Sequence, residues 1–336
     1  MKRAKENEKG IAILSNLIEA CEKILACPIC HSKFSLDSLP DFLECRKCSK
    51  KYRIIENTIP SLIVRPEKEF EFSLRKWDAI YEDEKNAVDA EKDWLDNHKK
   101  DTMEQLNIAM KGMQKGIFLE MGSGYGFVGE ELAKNGWLFI AADFSLNALK
   151  CLRSRLENRG IKNFLLVHCD IRALPFSDDS IDGVYGGGVI EHFRDPEAIL
   201  KDTHRILKSR GISFNTVPLL NLGNFFYRFQ WGAIPNIPIL RGIAESFHIN
   251  LLGGRHMKFG YELMLSESQL RKMHESAGFL KDEISTGRFN CRIKLESIKN
   301  KRIKKMLIHL AKNNRNFWPM VKAIAKKGGM LPPSTI

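Results

Sequence analysis

From Gly116 onward the chain alternates short apolar runs with amphipathic ones, and that alternation constrains its fold more than any other feature. Ile117–Met121, Trp137–Ala142, Phe164–Cys169, Ile181–Tyr185 and Ile212–Val217 read as buried strands, while Phe127–Asn135, Leu146–Arg159 and Pro196–Lys208 read as helices. Strand and helix in regular turn predict an α/β fold, a doubly wound parallel sheet with helices on both faces. Such sheets bind ligands outside the carboxyl ends of their strands, so the strand tips are where chemistry is expected.

Three tips carry a coherent set of residues. The first strand runs into Glu120-Met121-Gly122-Ser123-Gly124-Tyr125-Gly126 before a helix. Glycines at a strand-to-helix turn let backbone approach a ligand, and the G-x-G-x-G spacing departs from the G-x-G-x-x-G fingerprint of NAD sites. No G-x-x-x-x-G-K-[ST] loop for a nucleoside triphosphate is present. The second strand ends in Asp143, 21 residues beyond Gly122, where a carboxylate can accept from both hydroxyls of a ribose. Asp143 could instead cap the next helix, a role for which Ser145 competes. At the third tip Asp170 can accept from an adenine amino group while Ile171 packs on the ring.

LEMGSGYG, AADFS, HCDIRALPFSDDSID and VIEHFRDPEAILKDTHRILKSRGISF, spread over about Ile117 to Val217, resemble the class I S-adenosylmethionine-dependent methyltransferases, specifically the ubiquinone/menaquinone-biosynthesis-like group. The resemblance implies a Rossmann-like fold, S-adenosyl-L-methionine as cofactor and methyl transfer as the activity. It places Glu120, Gly122 and Gly124 near the methionine and ribose portions, Asp143 on the ribose, Asp170 and Ile171 on the adenine and Gly187 near the methionine portion. Ser123, Gly126 and Phe144 complete the expected cofactor-binding set. Two departures stand out: Lys208-Ser209-Arg210-Gly211 replaces the group's Lys-Pro-Gly-Gly turn, and Gly186-Gly187-Gly188 replaces larger residues, which could widen the pocket.

Methyl transfer from a sulfonium is an in-line displacement in which the protein positions a nucleophile and can remove its proton. Glu191 and His192 at the fourth strand tip are the candidate catalytic pair, His192 as a base near neutral pH. The alternative is that the pair shapes the cofactor pocket or caps the following helix. No Asn/Asp-Pro-Pro-aromatic motif follows that strand and no Pro-Cys supplies a nucleophile, which disfavours common base-methylating chemistries.

Upstream, Cys27-Pro-Ile-Cys30 and Cys45-Arg-Lys-Cys48 stand 14 residues apart. Each pair can form a tight knuckle, and two facing knuckles make a closed four-sulfur tetrahedral zinc site, structural because no coordination position is left open. The segment Leu25–Val64 resembles the zinc-ribbon family whose members activate tRNA and translation-factor methyltransferases. Cys21, Cys151, Cys169 and Cys291 show no such pattern and read as small apolar residues. With no export signal in MKRAKENEKG, the cysteines are expected to be reduced and the compartment cytoplasmic.

The expected organisation is an N-terminal extension (1–24), the ribbon (25–65), a helical linker and cofactor cover (66–115), the methyltransferase domain (116–287) and a basic helical tail (288–336). Trp77-Asp78-Ala79-Ile80-Tyr81 in the linker resembles the aromatic segment that covers the cofactor in small-molecule methyltransferases. An insertion, 217–261, with Phe225, Phe226, Tyr227, Phe229 and Trp231 reads as a lid and favours a hydrophobic or ring-bearing small molecule, a dimer interface or extra core being the alternative. His248 and His256 in it are either surface residues or bases. Ser266 begins a capped helix. The net charge of +12 resides in the tail: thirteen Lys/Arg stand there against Glu296 alone, leaving 40 bases and 40 acids before it. Ile303, Met306, Leu307, Leu310 and Ala311 share a helical face among those bases, a pattern that permits binding to RNA or an anionic membrane surface, a merely solvated charged face being the alternative. The favoured reading is an O- or C-methyltransferase of a small molecule; an RNA methyltransferase and a non-catalytic cofactor-binding or activator protein stay open, and the oligomeric state is not fixed.

Overall fold

The computed structural model describes residues 17–64, 68–82, 84–228, 231–289 and 300–329; Cys291 and Phe229, and the side chains of Phe226 and Tyr227, lie outside the described residues. Residues 17–23 are helical. Four short antiparallel strands follow in the order β1-β2-β3-β4: β1 Phe34–Ser35, β2 Phe42–Cys45, β3 Lys51–Ile55 and β4 Ile59–Pro60. Helices Lys68–Tyr81, Glu84–Asp93 and Lys99–Ala109 lead into the main body.

The alternation predicts the main sheet well. Strands β5 Ile117–Met121, β6 Leu138–Asp143, β7 Phe164–His168, β8 Ile181–Gly187 and β9 Leu207–Pro218 are parallel, with helices Phe127–Lys134, Leu146–Asn158 and Pro196–Ile206 between them. The helix Pro196–Ile206 forms for local reasons. Asp195 Oδ1 accepts from Ala198 N at 3.1 Å, proline occupies the first turn, and Ile199, Leu200, Thr203 and Ile206 turn one face into the core. Later come the two-residue strands β10 Ile234–Pro235 and β11 Leu263–Met264, then β12 Ile284–Phe289 and β13 Met320–Lys326. The seven-stranded order is β12-β13-β9-β8-β5-β6-β7, so the direction of winding reverses between β5 and β8. The crevice at that switch point is where an open α/β sheet takes its ligand.

Three expectations change. The segment Lys208–Gly211 is a bulge inside β9 rather than a turn before it: Ile181 pairs with Leu207 and Gly183 already with Ile212, so four residues loop out of the ladder, with Arg210 at φ +65°. The helix expected to reach Lys208 stops at Ile206 because Leu207 has entered the sheet. The basic tail 288–336 is not an appendage either. After the helix Lys301–Asn313 the chain returns as β13, antiparallel between β9 and β12. Its Val321, Ala323 and Ala325 are fully buried, an alternation that the surrounding lysines conceal in the sequence.

The four-stranded unit closes one edge of the main sheet. Ser61 bridges His168 in parallel, Leu62 N donates to His168 O at 2.7 Å, and Ala26 N donates to Pro175 O at 2.9 Å. Edge strand β7 is thereby covered. Leu17, Leu25, Phe34, Leu43 and Leu62 share one buried cluster with Leu119, Ile140 and Leu165 of the main sheet. No helix of the described residues is long and apolar enough to cross a membrane.

Candidate functional site

The turn after β5 is built on left-handed glycines: Gly122, Gly124 and Gly126 have φ of 54°, 48° and 61°. A Cβ on Gly124 would also strike the Tyr81 hydroxyl. Asp143 at the tip of β6 ties this turn down, because Gly124 N donates to its Oδ2 and Ser145 N to its Oδ1, both at 2.7 Å. Ser145, not Asp143, caps the helix Leu146–Asn158, accepting from Ala148 N at 3.1 Å. Burial pushes the Asp143 carboxyl up to about 6 against the pull of these backbone donors.

Glu120 is buried behind the same turn, where its Oε2 accepts from Gly129 N at 2.7 Å. Burial raises its carboxyl to about 8, the Gly129 donor and Arg155 opposing. Asp170 begins the short helical turn Ile171–Ala173 and has a protein partner: the Arg172 guanidinium reaches both carboxylate oxygens, with Nη2 2.6 Å from Oδ2.

A cavity lies over these tips, lined among others by Gly122, Asp143, Phe144, Ile171, Gly188 and His192. Thus Gly122, Asp143, Phe144 and Ile171 of the expected cofactor set face it, while the turn residues Gly124 and Gly126 and the buried Glu120 shape it from behind. Gly187 is replaced in the lining by its neighbour Gly188. A Cβ on Gly187 would meet the Tyr185 ring and one on Gly186 the Asn215 side chain, whereas Gly188, at φ +72°, has only Glu191 Oε1 at 3.7 Å. Of the triple glycine, only Gly188 opens the pocket.

Ser73, Trp77 and Tyr81 of the helix Lys68–Tyr81 form the cavity's outer wall. Asp78 on the same helix accepts from Ser145 Oγ, and Trp77 stacks on Phe259 with ring centroids 5.9 Å apart. The aromatic run is the signal that locates this wall. No motif pointed to Ser73, which the tertiary fold brings to the same lining; Val189 and Phe193, inside the VIEHF motif but given no role from the sequence, line it too. A second unforeseen link runs through His168, whose Nδ1 meets Ser61 Oγ at 2.8 Å and whose Nε2 donates to Phe144 O at 3.0 Å, joining the β4 end to the cavity rim.

A larger cavity adjoins the first and shares Ser73, His192 and Phe193 with it; Ile249, Met257 and Tyr261 from the insertion help to line it. His192 therefore stands in the common wall. Its Nδ1 lies 2.6 Å from Tyr261 O, its ring meets Trp77 edge-on at 5.4 Å, and burial lowers its pKa. Glu191 does not face either cavity. It is buried, burial holds its carboxyl well above the usual range, and its Oε2 has no hydrogen-bond partner among the described residues. His248 and His256 face each other, Nδ1 to Nε2, at 2.7 Å.

The four expected metal ligands come together. Cys27, Cys30, Cys45 and Cys48 place their Sγ atoms within 4.8 Å of one another, with Cys30–Cys45 at 3.4 Å and Cys27–Cys48 at 3.7 Å. Zinc–sulfur bonds of about 2.3 Å at tetrahedral angles require about 3.8 Å. The two knuckles repeat each other: His31 N donates to Cys27 O at 2.8 Å and Ser49 N to Cys45 O at 3.0 Å, with His31 and Ser49 at φ 53° and 55°. Tyr52 Oη lies 3.3 Å from Cys27 Sγ inside the core. Of the remaining described cysteines Cys21 and Cys169 are buried, but Cys151 is exposed.

Residues 119–214 match the family described as a methyltransferase domain. Over 282 residues, 77% of this chain and 74% of the relative, the sequence is 23% identical to an uncharacterized chloroplastic methyltransferase of Arabidopsis thaliana. Over 94 residues it is 35% identical to a demethylmenaquinone methyltransferase of Geobacillus stearothermophilus, a match that spans 26% of this chain and 40% of that protein. In fold it is similar to phosphoethanolamine N-methyltransferase 2 of Haemonchus contortus in complex with phosphomonomethylethanolamine and S-adenosylhomocysteine, with TM-score 0.53, 16% identity and coverage of 80% and 62% of the two chains. The chain carries an S-adenosylmethionine-dependent methyltransferase domain of the class I fold.

Proposed function

We propose that this protein transfers a methyl group from S-adenosylmethionine to an oxygen or carbon of a small, hydrophobic or ring-bearing molecule. The observation that carries the reading is the pair of adjoining cavities with His192 in their common wall. The smaller cavity suits the cofactor: its glycine turn brings backbone close, Gly188 adds no side chain, and each Asp143 oxygen keeps a lone pair beyond its backbone donor for a ribose hydroxyl. Gly122, Asp143, Phe144 and Ile171 would hold it directly. Glu120, Ser123, Gly124, Gly126, Asp170 and Gly187 are assigned to the shape and support of that site. When bound, S-adenosylmethionine supplies an electrophilic methyl group on a sulfonium sulfur.

The larger cavity would take the acceptor. A carbonyl oxygen can only accept, so His192 carries its proton on Nδ1, and the neutral ring that burial favours keeps a lone pair on Nε2. That nitrogen is the base that would remove a proton from a hydroxyl or an activated carbon as the methyl group arrives. Glu191 supports the tip from within rather than touching the acceptor. Trp77, Phe193, Ile249, Met257 and Tyr261 give the space between helix and insertion an apolar and aromatic character. The activity named for the Geobacillus stearothermophilus relative makes demethylmenaquinone the first acceptor to try.

The four cysteines fit zinc in a closed, structural site, held by Cys27, Cys30, Cys45 and Cys48, with Tyr52 donating to the Cys27 sulfur. The likeness of this segment to activator ribbons supports a role for it in holding the methyltransferase body.

Calorimetric titration of wild type and Asp143→Ala with S-adenosylmethionine and S-adenosylhomocysteine tests the reading. Micromolar binding that Asp143→Ala weakens at least tenfold is expected; a folded wild-type protein that binds neither would overturn it.

A further inference from the structure

The insertion has two unlike sides. Helix Pro238–Glu245 runs directly into the π-helical turn Ser246–Leu251. Ile239, Ile243, Phe247 and Leu251 recur every fourth residue and are 78%, 62%, 43% and 73% exposed. In an α-helix a four-residue step overshoots the turn by about 40°, so such a row winds off its face. The wider π turn Ser246–Leu251 offsets that drift, and all four side chains of the row are exposed. On the other side Ala244 and His248 are buried, and Ile249, Gly253, Gly254 and Met257 line the larger cavity. One segment thus walls the acceptor site and presents an apolar row to the outside.

We propose that this row seats on the surface of an anionic lipid bilayer, so that the protein takes its acceptor from the membrane. The charges around the row select the occupant. Of the basic residues of 217–261, Arg228 is paired with Glu262 at 2.8 Å and Arg241 with Glu245 at 2.9 Å, Glu245 also taking Tyr261 Oη at 2.6 Å, so the cations beyond these pairs are Arg255 and Lys258. Arg255 and Lys258 are exposed. An apolar face flanked by cations is the pattern of helices that lie in a membrane interface. A second copy seated on the same row would set these cations against their equivalents.

A second basic amphipathic element is joined to the insertion. Helix Lys301–Asn313 contains five Lys/Arg and no acid; of the apolar face read from its sequence Ile303 and Met306 are exposed, Leu307 and Leu310 half-buried and Ala311 buried, and Ile308 beside it is exposed as well. The turn that follows it packs on the helix Leu222–Arg228 at the start of the insertion: Gly223 lies against Phe317, and Asn221 Nδ2 donates to Trp318 O at 2.8 Å. Leu222 and Phe225 of that helix are themselves exposed.

The inference rests on the proposed function only in holding that the acceptor is hydrophobic. Its test is co-sedimentation of the full chain with vesicles of phosphatidylcholine alone and of equal parts phosphatidylcholine and phosphatidylglycerol. Binding to the anionic vesicles that falls with salt is expected, and the triple variant Ile239→Asp/Ile243→Asp/Leu251→Asp should weaken it at least tenfold. Arg255→Glu/Lys258→Glu, which leaves the apolar row intact, should do so in part and guards against a misfolded triple variant. Wild-type protein that stays in the supernatant would overturn the inference, as would full binding by both variants. A wild-type dimer that the triple variant converts to monomer without loss of vesicle binding would also overturn it, in favour of a second copy. Calorimetry with S-adenosylmethionine on the same samples separates the two readings: cofactor binding without vesicle binding removes only the membrane, and vesicle binding without cofactor binding removes only the enzyme.

Discussion

His192 Nδ1 donates to the carbonyl oxygen of Tyr261 at 2.6 Å, across 69 residues of sequence. The contact fixes the imidazole tautomer and anchors the end of the insertion at the strand tip. Tyr261 is held in turn: its hydroxyl donates to Glu245 Oε1 at 2.6 Å, and Glu245 also takes Arg241 Nε at 2.9 Å. The position of the insertion and the orientation of the candidate base are therefore one structural problem.

If His192 is the base, His192→Gln should lower kcat by about 10²- to 10⁴-fold while cofactor affinity changes less than about threefold. Burial lowers the His192 pKa, so the active neutral form predominates at pH 7 and activity falls as pH drops through a midpoint below the usual histidine value. A kcat–pH profile of both proteins decides the matter; a midpoint shared by wild type and variant removes His192 from the chemistry.

Glu120 should make stability depend on pH. Its folded value of about 8 lies above the ordinary 4.5, so between those values the native state holds a proton that the unfolded chain has lost. Stability consequently falls as pH rises through that window. Glu120→Gln, which keeps an acceptor for Gly129 N, should flatten the slope and gain on the order of 2 kcal/mol at pH 8. Denaturation at pH 5, 6.5 and 8 reads this directly, and parallel slopes for the two proteins would count against it.

The four-cysteine site should bind one zinc per chain and hold the edge of the main sheet. Removal of metal by a chelator, or Cys45→Ala, is expected to cost on the order of 3 kcal/mol or more, because metal binding is coupled to folding. Loss of amide protection should concentrate at Leu62 and along β7, where the unit is bonded to the sheet. Tyr52→Phe removes only the hydroxyl near Cys27 and should weaken zinc about 10- to 100-fold in a competition titration. Unchanged zinc content and melting in Cys45→Ala would refute the assignment.

Trp77 closes the outer wall of the smaller cavity, stacked on Phe259 and edge-on to His192 at 5.4 Å. Trp77→Ala should cost about tenfold in S-adenosylmethionine affinity, since it opens the cavity to water and removes three aromatic contacts, that with Tyr81 at 6.5 Å included. Full affinity in a variant of unchanged helix content would show that the helix Lys68–Tyr81 does not cover the cofactor.

Local chemistry determined much of this protein. Strand alternation announces the parallel sheet because a strand buried on both faces must be apolar throughout, and Asp195, Ser145 and Ser266 mark helix starts because a cap bonds within three residues. The cysteine pairs and the glycine turn are equally local, since spacing alone brings each set of groups together. What depends on distant pairing was not legible there. Nothing in a lysine-rich tail announces that Met320–Lys326 enters the sheet between β9 and β12, because a strand's place is set by the partners that satisfy its backbone. The same holds for Ser73 and Tyr261, 188 residues apart in sequence, which meet at the site where Tyr261 N donates to Ser73 Oγ at 3.3 Å. The tautomer of His192 was decided last, by a carbonyl that only the closed tertiary structure brings within reach.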